Sequence, residues 1–195
     1  MKKDIILAGV GGQGILSIAT IIGYAVVQSD LHLKQAEVHG MSQRGGAVES
    51  HLRISDKEIH SDLVPHGRSD MIISVEPMES LRYFPYLKQD GWLITNITPF
   101  VNIPDYPEME QLLKDIEGHK NSIVIDGDTI AREIGSPRSM NMVVLGAASP
   151  FLEIPFEKLE DSISTVFARK GEDIVQKNLE ALNRGKRFAE ERMKK

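Results

Sequence analysis

Short apolar runs alternate with longer amphipathic ones along this chain. Ile5-Ile6-Leu7-Ala8 is bounded by charge on one side and glycine on the other, which predicts a strand buried on both faces and central in a parallel sheet. From Ile15 to Val27 the residues are almost wholly apolar and the run stops near Gln28-Ser29-Asp30, predicting a mostly buried helix. Lys34 to His39 reads as a second strand. Ala47 to Ile54 alternates, with Val48, Ser50, Leu52 and Ile54 on one side and Glu49, His51 and Arg53 on the other, the pattern of a half-exposed strand. Met71 to Val75 is a further buried strand, and Pro77 opens a short helix that Pro85 limits. A strand over Trp92 to Thr95 follows a turn at Asp90-Gly91, and proline density predicts an extended loop from Thr98 to Pro107. A helix from Glu108 to Glu117 stops at Gly118, and Ser122 to Ile125 is the next strand.

Past Asp128 the period becomes helical. Helices are expected over Thr129 to Ile134 with Asp128 as cap, over Met140 to Ala148, and over Phe156 to Lys170. In the last of these Phe156, Leu159, Ile163, Val166 and Phe167 form one apolar stripe. The tail from Glu172 sets Val175, Leu179 and Leu182 on one face, then loses its pattern at Arg184-Gly185-Lys186-Arg187, as a docking helix with a frayed end does. Read as β-α-β throughout, these elements define the α/β class: a Rossmann-like three-layer sandwich with a mainly parallel sheet and a helical C-terminal region. The 195 residues are expected to form a single domain, 1–195.

Charge and composition narrow the chemistry. A net charge of -5 argues against a nucleic-acid or anionic-membrane partner, which needs clustered Lys and Arg. With no cysteine, the chain has no thiolate for a disulfide, a nucleophile or an iron-sulfur cluster. The opening Met1-Lys2-Lys3 and apolar run mimics a secretory signal, but Asp4 and the glycines that follow interrupt it, so a cytoplasmic protein is expected. His32, His39, His51, His60 and His66 crowd one third of the sequence without metal-ligand spacing and are read as scatter; no metal site and no catalytic acid-base set is expected. Asp126-Gly127-Asp128 and Glu76-Pro77 read as turns and helix starts at strand ends.

Gly9-Val10-Gly11-Gly12-Gln13-Gly14 matches G-x-G-x-x-G between a predicted strand and a predicted helix, the context in which the motif has physical meaning. The first glycine would permit the tight turn and the second a close approach of backbone to ligand. The third would let helix pack on strand, leaving amides at the helix N-terminus to face an anion. Gly9, Gly11, Gly12, Gln13 and Gly14 are therefore candidate cofactor-binding residues. A dinucleotide site also wants an acidic residue at the end of the second strand, where Glu37 is the only candidate, and the polar loop after it would crowd an adenosine.

That loop is His39-Gly40-Met41-Ser42-Gln43-Arg44-Gly45-Gly46, three glycines with an amide, a guanidinium and an imidazole between two strands, a composition suited to binding. Together with the glycine turn and with Asn141-Met142-Val143-Val144-Leu145-Gly146, it resembles the gamma subunit of pyruvate and ketoisovalerate oxidoreductases, and within that family the beta subunit of indolepyruvate ferredoxin oxidoreductase. The resemblance runs from the first strand to the helix after Asn141, and its most specific part is Gly40 to Gly46. It implies an enzyme subunit active only with a larger partner that carries thiamine diphosphate, magnesium and iron-sulfur clusters. It also implies oxidative decarboxylation of an arylpyruvate to an aryl-acyl-CoA, with ferredoxin reduced through the complex. The same loop, with Asn141, then becomes a substrate- or partner-facing site. Arg44 can offer planar paired donors to a carboxylate or phosphate, Gln43 can add a neutral hydrogen bond, and coenzyme A is a candidate ligand.

Two other readings stand beside it. One is a purely structural assembly subunit without ligand contact, which would leave exposed apolar surface and could self-associate when isolated. The other is a free-standing NAD- or FAD-binding Rossmann protein.

Overall fold

A computed structural model describes residues 1–40 and 45–194. The first strand, β1 (Lys2–Val10), leads into helix α1 (Ile15–Val27), and β2 (His32–His39) then pairs with β3 (Ala47–Ser55). After β4 (Ser69–Ser74) come α2 (Pro77–Arg82), β5 (Leu87–Asn96), α3 (Met109–Glu117) and β6 (Ser122–Ile125). The remainder is helical: α4 (Gly127–Glu133), α5 (Met140–Ala148), α6 (Phe156–Phe167) and α7 (Glu172–Met193).

The strands lie in one sheet in the order β2-β3-β1-β4-β5-β6. β1, β4, β5 and β6 pair in parallel, with Ile6 opposite Ile72 and Ile94 opposite Ile123. β3 runs antiparallel to both β1 and β2. The β-α-β expectation therefore fails around β3. β2 and β3 form a hairpin, and among the described residues α1 is the only helix before β4, so neither connection of β3 is a helical crossover.

Side-chain alternation assigns the two faces. Ile5, Leu7, Met71, Ile73, Ile94 and Ile123 pack with α1 and α4–α7, whereas Ile6, Ile72 and Leu93 pack with Leu112 and Ile116 of α3 on the other side. β3, expected to be half exposed, is covered on both faces. Val48, Leu52 and Ile54 enter the first core, while His51 on the opposite face is only 2% exposed beneath Val64 and Tyr86. The segment after β3 is strapped there by Arg53, which meets buried Asp4 at 2.8 Å and donates to the carbonyls of Ser61 and Leu63.

His51 carries a testable pH dependence. Its Nδ1 accepts from Val64 N at 3.0 Å, which requires an unprotonated nitrogen, and burial lowers its pKa against the opposing pull of Glu49. The unfolded chain takes up a proton near the ordinary histidine value while the folded chain does not. Stability contributed by this group is thus present at neutral pH and falls as pH drops below about 6.5, by up to about 1.4 kcal/mol per pH unit. Urea unfolding at pH 7.5 and 5.5 should show a larger acid loss for the parent than for His51→Asn, which keeps an acceptor but cannot titrate; equal losses would show that His51 is not the responsible group.

Three further expectations are corrected. The turn at Asp90-Gly91 lies inside β5, where the pairing with β4 shifts register between Ser69 and Met71, so the polar residues are absorbed by a bulge. The helix cap after β6 is Asp126, whose carboxylate accepts from Thr129 N at 2.9 Å; Asp128 instead accepts from Asn96 at 2.9 Å. The tail does not fray at Gly185. α7 continues to Met193, and Gly185 is where it touches α5: a Cβ there would lie 2.0 Å from Val143 O, and one on Gly146 would lie 2.0 Å from Leu182 O. Two helix backbones this close need glycine on both sides, and the lost propensity is offset by contact with α5, all nine of whose residues are buried.

Candidate functional site

The carboxyl end of β1 is where the predicted glycine residues gather. Gln13 closes the turn with its side chain, accepting from Val10 N at 2.8 Å while its own N–H donates to Val10 O at 3.1 Å. The glycines divide their labour differently from the sequence expectation. Gly9 is still in β1, and a Cβ there would lie 2.4 Å from Val75 and 2.7 Å from Ile15, so it serves close packing rather than turning. The left-handed backbone falls to Gly12 (φ 100°) and Gly14 (φ 87°), the latter also the N-cap of α1.

Asn141, 127 residues away in sequence, is brought to this turn. Its Nδ2 donates to Gly14 O at 3.1 Å, and a Cβ on Gly14 would come within 2.4 Å of that same nitrogen. The second predicted loop meets the turn from the other side, with Gly11 N donating to Gly46 O at 2.9 Å. Gly40 N donates to Ala47 O at 2.9 Å, and Gly45 (φ 78°) accepts from Asn102 Nδ2 at 2.6 Å. His39 ends β2 with its ring paired to Glu37. Met41, Ser42, Gln43 and Arg44 lie outside the described residues. Glu37, the acidic residue a dinucleotide site would need, stands on β2, which β3 separates from β1. The usual ribose position beside the glycine turn is thus taken by an antiparallel strand, an arrangement that does not fit an NAD or FAD site of the ordinary kind.

Several residues that pattern reading passed over complete the neighbourhood. A cleft of about 750 Å³ opens beside the turn, lined by Gly12, Gln13, Gly14 and Ser17, by the segment Gly135–Asn141, and by Phe167, Lys170, Ile174 and Asn178. The signal was the small and polar run Gly135-Ser136-Pro137-Arg138-Ser139, a loop composition ahead of an apolar helix. Glu76, read from the sequence only as a strand end and helix start, has further partners. Fully buried at the end of β4, it caps α2 by accepting from Glu79 N at 2.8 Å, and it accepts from Phe100 N at 3.2 Å and from the Tyr106 hydroxyl. Burial raises the pKa of Tyr106, and the hydrogen bond to Glu76 raises it further. Burial likewise pushes up Glu79, against the pull of Arg82, which donates to it at 2.9 Å. Through Phe100 and Tyr106, Glu76 anchors the proline-rich loop, whose Asn102 reaches Gly45.

Among the described residues no group of three or more His, Asp or Glu side chains could hold a metal ion. With no cysteine in the sequence, the chain has no thiolate to ligate an iron-sulfur cluster. No described helix is long and apolar enough to cross a membrane.

An open, mostly parallel sheet with its glycine turn, hairpin loop and cleft at the carboxyl end of the central strand defines a Rossmann-like α/β protein whose candidate site lies where such folds place their ligands. The family model described as pyruvate ferredoxin/flavodoxin oxidoreductase matches residues 4–188. Indolepyruvate oxidoreductase subunit IorB of Pyrococcus horikoshii is 34% identical, with 98% of each chain covered. The subunit of the same name from Archaeoglobus fulgidus is 36% identical over 95% of this chain and 94% of its own. A solved structure of 2-oxoglutarate:ferredoxin oxidoreductase from Magnetococcus marinus, with 2-oxoglutarate, coenzyme A and succinyl-CoA bound, superposes with a TM-score of 0.77 at 25% identity. It covers 97% of this chain, which in turn spans 31% of that longer chain. The chain belongs to the pyruvate ferredoxin/flavodoxin oxidoreductase family, an oxidoreductase family in which its near-full-length relatives are subunits.

Proposed function

We propose that this chain is the non-iron-sulfur subunit of a thiamine diphosphate-dependent 2-oxoacid:ferredoxin oxidoreductase acting on indolepyruvate and other arylpyruvates. The observation that carries the reading is the match to indolepyruvate oxidoreductase subunits along 98% of both chains. The lack of cysteine supports the division of labour, since single-electron carriers then belong to a partner. In the reaction the 2-oxoacid loses carbon dioxide, its acyl group forms a thioester with coenzyme A, and the electron pair released passes to ferredoxin. Thiamine diphosphate on the larger subunit supplies the carbanion chemistry when bound. This chain contributes shape and charge. The glycine turn and the loop His39 to Gly46 face coenzyme A or the mouth of the partner's active site, with Arg44 and Gln43 as the donors.

Anaerobic recovery of the tagged chain from its native cells should bring down a larger, brown, thiamine-containing subunit. The eluate should reduce an electron acceptor with indolepyruvate and coenzyme A, and less well with 2-oxoglutarate or pyruvate. A chain that emerges alone, or a complex that prefers 2-oxoglutarate, would refute the partner or the substrate respectively. In that complex, Arg44→Ala should leave assembly intact and raise the KM for coenzyme A by about tenfold, the loss expected for one charge-assisted contact. Unchanged coenzyme A kinetics would favour a purely structural part for the loop, a reading that the backbone bonds tying Gly45 and Gly46 into the fold also suit.

A further inference from the structure

We propose that the open edge of the sheet, strand β2 with the outward flank of α1, is a self-complementary surface that pairs with a second copy of this chain, so that two sheets join edge to edge about a two-fold axis. β2 is an outer strand whose eight residues keep unbroken register with β3 and contain neither proline nor a bulge, devices that keep an edge single. Its hydrogen-bonding phase is fixed at the hairpin. Gly40 N donates to Ala47 O at 2.9 Å, and alternation along an antiparallel ladder then turns the main-chain groups of Lys34, Ala36 and Val38 toward β3 and those of Leu33, Gln35, Glu37 and His39 away from it. These outward N–H and C=O groups form a ready ladder. Helix α1 extends the surface, because a Cβ on Gly23 would lie 3.2 Å from the Leu33 side chain and that flank of the helix therefore faces β2. Leu16, Thr20 and Val27, all exposed, lie within about 60° of Gly23 around the helix. Leu16, Tyr24, Val27 and Val38 are four of the ten large hydrophobic residues exposed among the described residues, gathered on one edge.

Symmetry chooses the register. A two-fold axis normal to the joined sheet keeps every side chain on its own face, so the pairing must be centred on a single residue. Centring on Lys34 or Glu37 sets like charges opposite each other, and centring on Gln35 sets Leu33 against Glu37; centres nearer either end of β2 pair only a few residues. Centring on Ala36 pairs Leu33 through His39 with the second copy. It places Gln35 opposite Glu37 of the second copy, twice by symmetry, an amide donor against a carboxylate, and lays the stem of Lys34 on Val38. The same axis runs the two α1 helices antiparallel across the joint, with Leu16, Thr20 and Val27 of each turned toward the other.

The chain has no cysteine, so Ala36→Cys reports on the register directly. Position 36 would face its own copy at a non-hydrogen-bonded place in the ladder, where Cα atoms lie about 4.5 Å apart, within the span of a disulfide. Mild oxidation of the full chain, alone and in the complex recovered from native cells, should give a covalent dimer of Ala36→Cys and at least about tenfold less of Lys34→Cys, which stands opposite Val38 rather than itself. Light scattering of the unsubstituted chain at micromolar concentration should return twice the chain mass. Val27→Glu/Val38→Glu, at two exposed positions, should return a single chain mass at an unchanged melting temperature. A monomeric parent chain, equal cross-linking from positions 34 and 36, or a dimer that the double variant leaves intact overturns the proposal. Ala36→Cys dimers in the isolated chain but not in the complex would assign the edge to the larger subunit and overturn it as well.

Discussion

Gly185→Val should leave the chain largely unfolded. The new side chain begins 2.0 Å from Val143 O and 2.9 Å from Ala147 N, both backbone atoms of α5 that cannot rotate away. The helices must separate, which opens the contact made by Leu182, Ala181 and Ala189 with fully buried α5. A loss of about 4 kcal/mol or more is expected, the scale of the exceptional destabilisations and a large part of a domain's whole stability. Gly146→Val should do the same from the other side, against Leu182 O at 2.0 Å. Thermal unfolding followed by circular dichroism checks both, and melting within about 2 °C of the parent would show that the glycine contact is dispensable.

Glu76→Ala should be the most damaging change near the site. It leaves Glu79 N, Phe100 N and the Tyr106 hydroxyl without their acceptor in a buried place. Stranded donors at a former carboxylate cost about 3 kcal/mol together, and the loop that Phe100 and Asn102 hold against Gly45 loses its anchor. Turnover by the complex should fall at least about tenfold, while Glu76→Gln, which keeps one acceptor oxygen, should fall between the two. If the alanine variant unfolds at the parent's urea midpoint and turns over normally, the loop does not depend on Glu76.

Much of the fold could be read from hydrophobic spacing. The bounds of α1, β6 and α5 agree with the runs Ile15 to Val27, Ser122 to Ile125 and Met140 to Ala148, because long apolar segments and short bounded ones leave little choice of period. The errors share a physical origin. Asp90-Gly91 and Gly185 were taken as local breakers, yet a bulge absorbs the first and a tertiary contact requires the second, neither of which is encoded nearby. Strand direction was equally invisible, since a hairpin and a crossover begin with the same alternating residues. His51 looked solvent-facing because alternation reports two sides of a strand but not what covers the second.

The site divides along the same line. Gly9 to Gly14, Gly45, Gly46 and Asn141 were legible through motif and resemblance, and the resemblance itself is borne out by the near-full-length matches to indolepyruvate oxidoreductase subunits. Arg138, Lys170 and Asn178 were not, because each is ordinary in its own helix or loop and becomes notable only where distant segments converge. Glu76 was read as a strand end and helix start, which it is; its other partners, Phe100 and Tyr106, arrive from a loop whose path no periodicity specifies.

The bond from Asn141 to Gly14 also sets an order of events in folding. It closes a loop of 127 residues, and α5 is itself held in place by α7 at the far end of the chain. Closing so long a loop is entropically costly and comes late, after the local hairpin and the parallel strand pairs. During synthesis, then, the residues through α7 must leave the ribosome before the glycine turn acquires its final shape. A chain stalled before α5 would carry the motif without its geometry.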